Sequence, residues 1–353
     1  MARTTDGRLA YADLLRTAAT FAVLLLHISG GWMGSTPVDG SDWAVLNLYD
    51  GLARWCVPVF VMLSGAFLLD PGKKETARSL FFRCLRILTA LVFWGGLYAV
   101  ADHISSGGTL SLRTVMDAAL LALRGNTHYH LWFLYMILGL YLVTPVLRVF
   151  VRGASRSDLH WFLFLCFLFA VLLPTLLRLW PSSTVSRWQN QLNLHLPLGY
   201  VGYFVAGYYL RHYTIGRIAE FLLYGLGIAG GVVTVWGTSV LSRQAGSFQD
   251  LFYGYFAPNV AAMSVAVFVL FRYLLGVSEE RDRRQRLSGT ARLSFGIYLV
   301  HDFFIMLLRH FGVSTLSFPP ILSVPLLTAA VFLAAFFTAW LISKIPFVGS
   351  YLT

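Results

Sequence analysis

The chain has 353 residues, 57% of them hydrophobic and 12% charged, with a mean hydropathy of +0.68. Soluble domains carry about 25% charged residues, so half that share along the whole length describes a polytopic membrane protein and excludes a soluble domain with one anchor. The net charge of +11 fits cationic loops beside an anionic leaflet. Without a compact basic module outside the apolar runs, no nucleic-acid partner is expected.

A bilayer span needs about 20 mostly apolar residues. Ten segments qualify: roughly 10–32, 48–70, 81–102, 130–150, 160–180, 196–212, 218–241, 253–275, 292–311 and 321–343. The second and sixth are the weakest, interrupted by Pro58 and by Gly199, Gly202 and Gly207. Met1 to Leu9 is short and polar, and the first apolar run continues to about Met33 without a small-residue cleavage signal. It reads as a retained signal anchor. The expected fold is therefore all-α and polytopic, with about ten transmembrane helices in one membrane-embedded domain, 1–353, and no separate soluble domain.

Lysine and arginine in short loops set orientation. With the N-terminus inside, Arg3, Arg8, Arg16, Lys73, Lys74, Arg78, Arg83, Arg86, Arg148, Arg152, Arg156, Arg211, Arg217, Arg272, Arg281, Arg283, Arg284, Arg286, Arg292 and Lys344 face the cytoplasm, 20 of the 27 cations. Arg54, Arg113, Arg124, Arg178, Arg187, Arg243 and Arg309 face outward. This bias predicts that both termini are cytoplasmic.

Charge at bilayer depth costs at least a few kcal/mol and marks a site or a pathway. The first span, YADLLRTAATFAVLLLHISG, keeps Asp13, Arg16 and His27. Eleven helical steps bring Arg16 and His27 to within about 20° of one face, some 16 Å apart along the axis. Asp13 lies one turn before Arg16, close enough to pair with it. In the second span Asp50 and Arg54 are spaced i,i+4 near its outer end. Arg83 and Arg86 follow in FFRCLR, His128, His130 and Trp132 open the fourth span in HYHLWF, and SFGIYLVHD places His301 and Asp302 mid-helix in the ninth. The arginines suit a phosphorylated ligand and the imidazoles suit proton transfer, although a channel or transporter could use the same polar path. Cys56, Cys84 and Cys166 are scattered and read as packing residues. No metal is expected, since no cluster has ligand spacing.

With these motifs the chain resembles the integral-membrane acyltransferases called acyltransferase family 3. Arg16 and His27 reproduce its Arg-x10-His signature. The likeness continues through VPVFVMLSG (57–65), RCLRI (83–87), HLWFLYMILGLYLVTPVLR (130–148) and SFGIYLVHDF (294–303), in order along nearly the whole chain. Within the family it is most similar to the stand-alone subgroup that O-acetylates surface polysaccharides in the bacterial inner membrane. The resemblance implies acetyl transfer from cytoplasmic acetyl-CoA to a hydroxyl of an extracytoplasmic cell-envelope glycan or lipid-linked sugar. It also implies that Arg16 and His27 are the essential pair and that Arg83 and Arg86 lie near the CoA phosphates.

The residues fit that chemistry. His27 can act as general base or be acetylated as a relay. Arg16, so far from His27, has an organising or CoA-binding role. His301 and Asp302, with Arg54, His130 and Trp132, are candidates for acceptor binding or proton relay. Export of a glycan or lipid-linked intermediate is the alternative reading.

Overall fold

Several polar residues sit inside this molecule while large apolar ones sit outside. Asp50, Thr234 and His301 are fully buried, whereas Leu142, Val146 and Val149 on one helix and Ile218, Phe221 and Leu222 on another are 63% to 80% exposed. Water would favour the reverse arrangement. A lipid-facing surface around an interior that shelters polar groups requires this one. The computed structural model describes residues 9–73, 76–124, 128–275, 286–347 and 349–353. Of the cations used to orient the chain, Arg3, Arg8, Lys74, Arg281, Arg283 and Arg284 lie outside the described residues.

In chain order the helices are α1 (Ala10–Gly30), α2 (Ser41–Ala53), α3 (Cys56–Leu68), α4 (Ala77–Ser105), α5 (Leu112–Leu123), α6 (Trp132–Gly153), α7 (Arg156–Cys166), α8 (Leu173–Leu179), α9 (Ser183–Leu192), α10 (His195–His212), α11 (Arg217–Val232), α12 (Thr238–Ala245), α13 (Pro258–Tyr273), α14 (Arg286–His310), α15 (Pro320–Ser343) and α16 (Gly349–Leu352). Some join into longer rods. α2 continues into α3, and π-helical stretches at Phe167–Leu172 and Val233–Gly237 join α7 to α8 and α11 to α12. Among the described residues no strand occurs, and nine rods are long and apolar enough to cross a bilayer.

These nine correspond to nine of the ten expected segments. The sixth, 196–212, is the shorter helix α10, which kinks at Gly199, where ψ is −114°. The second begins earlier than expected, at Ser41, and its break falls at Arg54 and Trp55. Pro58 is not the breaking point. It lies in the first turn of α3, where the backbone amides have no intrahelical acceptor to lose. The 103–129 stretch, expected to be a loop, contains α5.

α1 is the central helix, packed against α2, α3, α13, α14 and α15. Side chains on both sides of it are fully buried, Leu15 and Ala19 on one face and Leu24 on the opposite one. α3 and α10 approach until backbones touch. A Cβ on Gly65 would lie 1.8 Å from the Phe204 carbonyl oxygen, and one on Gly207 would lie 1.8 Å from that of Met62. Small residues allow such approach in membranes, where lipid provides no hydrophobic drive between helices. Capping boxes start α4, at Thr76 and Ser79, and α7, at Ser155 and Asp158.

At the arginine-rich end, cations tie the loops to the helices. Arg148 donates to the carbonyls of Leu68 (2.6 Å) and Lys73. Arg211 donates to Ala66 O (2.6 Å) and pairs with Asp70 at 3.0 Å. Arg272 donates to Tyr213 O at 2.9 Å. Burial pushes the Asp70 carboxyl up, but the Gly72 amide, Arg211 and His212 together outweigh it and hold the group below the usual carboxylate range. Several of the basic residues that orient the chain therefore also have a structural function.

Candidate active site

α1 runs without a break from Ala10 to Gly30, so the helical spacing of Arg16 and His27 survives in three dimensions. Both side chains line one cavity of about 400 Å³. Toward one end its wall carries Arg16, Arg83, Arg86 and Arg292, with Ser64 and Tyr141; toward the other it carries His27, His130, Trp132, Tyr255 and Tyr298. Six of the expected site residues, Arg16, His27, Arg83, Arg86, His130 and Trp132, thus share a single wall. They come from α1, α4, the 3₁₀ turn Tyr129–Leu131 and the start of α6.

The arginines are held in different ways. Arg16 pairs with Asp13 at 3.6 Å, as the one-turn spacing predicts. Arg86 donates to the Thr353 carbonyl and lies 5.1 Å above the Phe295 ring. Its Nε is buried and has no hydrogen-bond partner among the described residues. Arg292 donates from Nε to Ser288 O at 3.2 Å.

At the other end the imidazoles form a directed chain. His27 Nδ1 lies 2.7 Å from His301 Nε2, and His301 Nδ1 lies 2.6 Å from the Tyr298 carbonyl oxygen. A carbonyl only accepts, so His301 Nδ1 must carry a proton. With both rings uncharged, His301 Nε2 is then the acceptor and His27 Nδ1 the donor. The remaining nitrogen, His27 Nε2, keeps its lone pair on a ring that faces the cavity. The two rings are nearly parallel, 11° between planes with centroids 4.9 Å apart, so they meet edge to edge through this bond. This is the arrangement a general base requires: a proton acceptor oriented by a second group.

His301 and Asp302 were expected together and lie together, but not on the cavity wall. Asp302 has other partners, accepting from Tyr129 Oη at 2.7 Å and meeting His128 Nδ1 at 3.3 Å. His128 Nδ1 is also 3.0 Å from His130 Nδ1. Two histidines from the fourth segment and an aspartate from the ninth thereby converge, which spacing along the sequence cannot show.

Arg54 is absent from the wall as well. It pairs with Asp50 at 2.6 Å and sits 4.2 Å over the Tyr253 ring. Asp50 is fully buried rather than at the outer end of its span. A Cβ on Gly30 would lie 2.9 Å from its Oδ2, so the α1–α2 approach encloses the carboxylate.

Sequence reasoning passed over Tyr298 and Tyr255, counted Arg292 only as an orienting cation, and noted His128 in HYHLWF without placing it among the site candidates. Tyr298 had a readable signal. Ala291, Ser294, Phe295 and Tyr298 follow i, i+3, i+4, i+7, a single helix face, and all four line the cavity. Cys56 and Cys166 are buried packing thiols, as expected, although Cys56 also touches the cavity.

A family model described as an acyltransferase domain, that of acyltransferase family 3, matches residues 9–344. No curated protein and no solved structure matches the chain.

Proposed function

Because the chain belongs to acyltransferase family 3, we propose that this membrane acyltransferase is an O-acetyltransferase of the stand-alone, surface-polysaccharide type. It takes acetyl from cytoplasmic acetyl-CoA and delivers it to a hydroxyl of a cell-envelope glycan or lipid-linked sugar across the bacterial inner membrane. The observation that supports this reading is one cavity with arginines at one end and an oriented imidazole lone pair at the other. Both termini are cytoplasmic in this reading, which puts the arginine end inside.

Acetyl-CoA carries a diphosphate and a 3′-phosphate. Guanidinium forks match those oxygens, and Arg83, Arg86 and Arg16 are the residues assigned to them. The pantetheine arm then runs along the cavity and brings the thioester to His27. The acceptor hydroxyl gives its proton to His27 Nε2 while its oxygen attacks the thioester carbonyl carbon. The C–S bond breaks, and the proton passes from His27 to the departing thiolate. Base catalysis of this kind contributes about 10²–10⁴ in rate. Trp132 and Tyr255, whose rings stack at 5.9 Å, offer an apolar face to a sugar ring at the His27 end.

Thermal unfolding of the purified protein with and without acetyl-CoA tests the donor. A ligand at a hundredfold excess over Kd adds about 2.7 kcal/mol to the folded state. The midpoint should rise in wild type and in His27→Ala, and the rise should vanish in Arg83→Ala/Arg86→Ala. The shift, and not the midpoint itself, is compared, since Arg86→Ala also loses its bond to Thr353. Folded wild type that shows no shift at millimolar acetyl-CoA would remove the donor assignment and favour export of a glycan.

A further inference from the structure

We propose that His128, His130 and Asp302 form a binding site for a divalent first-row metal ion, with zinc as the best match. His128 Nδ1 lies 3.0 Å from His130 Nδ1 and 3.3 Å from Asp302 Oδ2. The three ligand atoms all fall within 4.8 Å of one another. Ligands at about 2.0–2.1 Å from a tetrahedral zinc are separated by roughly 3.3 Å, so two edges of the polyhedron already have its dimensions.

Hydrogen bonds alone do not account for the cluster. His130 Nδ1 and Asp302 Oδ2 both face His128 Nδ1, an atom that carries at most one proton. Directed at the carboxylate, that proton leaves two ring nitrogens 3.0 Å apart with no good bond between them. His130 Nε2 is buried and has no partner among the described residues. A single cation satisfies both nitrogens and the carboxylate oxygen together.

The surroundings match a metal's outer shell. Asp102 Oδ1 lies 3.9 Å from His128 Nε2, placing a carboxylate behind a ligating imidazole. Tyr129 donates to Asp302 Oδ1 at 2.7 Å, which leaves Oδ2 for the metal. Tyr98 stacks on His128 at 4.6 Å.

Ligation also places a proton. With Nδ1 bound to the metal, the ring proton of His130 must sit on Nε2, on a side chain that lines the cavity beside His27.

The test is metal uptake, which is independent of activity. Full-length protein in detergent is stripped with chelator and titrated with cobalt(II), following the visible d–d bands, then displaced with zinc. One equivalent should bind wild type and His27→Ala. His128→Gln and Asp302→Asn should lose saturable uptake, and Asp102→Asn should bind about 10–100-fold more weakly. A cooperative unfolding transition in each variant confirms that it is folded. Wild type that takes up no cobalt at micromolar free metal overturns the proposal. So does uptake that persists unchanged in folded His128→Gln and Asp302→Asn. Either result leaves the donor assignment untouched, because acetyl-CoA stabilisation is read separately.

Discussion

Gly65→Ala gives a direct test of the backbone contact between α3 and α10. The added Cβ would lie 1.8 Å from the Phe204 carbonyl oxygen and 2.5 Å from its carbonyl carbon. An ordinary heavy-atom contact needs about 3.5 Å, so the helices must part by roughly 1.5 Å. Backbone cannot rotate away as a side chain can, and overpacking of this kind costs about 1–3 kcal/mol. Gly207→Ala meets Met62 O at the same 1.8 Å from the opposite helix. The two changes act on one interface, so the double variant should lose less than the sum of the singles: the first Cβ opens the space the second needs. Gly96→Ala and Gly139→Ala are the controls, both helical and with nothing within 4 Å of the added carbon. These should be neutral or stabilising by about 0.5–1 kcal/mol, through lost chain entropy in the unfolded state. Thermal midpoints in detergent provide the comparison. If Gly65→Ala unfolds with the controls, or if the two interface variants add fully, the close approach is not what holds this pair together.

His27→Gln should keep the unfolding midpoint near wild type and lower kcat for acetyl transfer by about 10²–10⁴; activity within a few-fold of wild type would remove His27 as the base. Arg54→Ala leaves Asp50 as an unpaired buried charge and should destabilise by about 3–5 kcal/mol, with Asp50→Ala/Arg54→Ala recovering part of the loss; a double variant no more stable than Arg54→Ala refutes the pairing energy. Asp70 is held below its ordinary pKa in the folded state, so its contribution is complete above the unfolded carboxylate pKa and fades as pH falls through the folded one. The midpoint difference between wild type and Asp70→Asn should therefore shrink on acidification below about pH 4; a difference that grows would invert the sign of the argument.

Much of the site was legible because one periodicity decides it. Arg16 and His27 share a face by helical geometry, and an unbroken α1 preserves that face. Asp13 with Arg16, and Asp50 with Arg54, were readable as one-turn pairs for the same reason. What spacing could not supply was which helices meet. The bond between His27 and His301 joins residues 274 positions apart. The His128, His130 and Asp302 convergence likewise depends on how α14 lies beside the 3₁₀ turn before α6. The burial of Asp50 depends on Gly30, a residue on another helix whose missing side chain makes the room. α10 was weak as a span because Gly202 and Gly207, read as interruptions, are close-packing positions in the folded chain, whereas Gly199 does interrupt it, at the kink.

The hydrogen-bond chain behind His27 ends on a main-chain atom, the carbonyl of Tyr298. A side-chain partner could be lost or exchanged by a single codon change, and the His27 ring would then be free to turn over its tautomer. A carbonyl is present whatever residue occupies position 298. The direction of the proton on His27 is thus protected from substitution at that position and exposed to it only at His301. Variation at 298 can reshape the cavity wall and the fit of what binds there, while the polarity of the His27 imidazole stays fixed by the helix backbone.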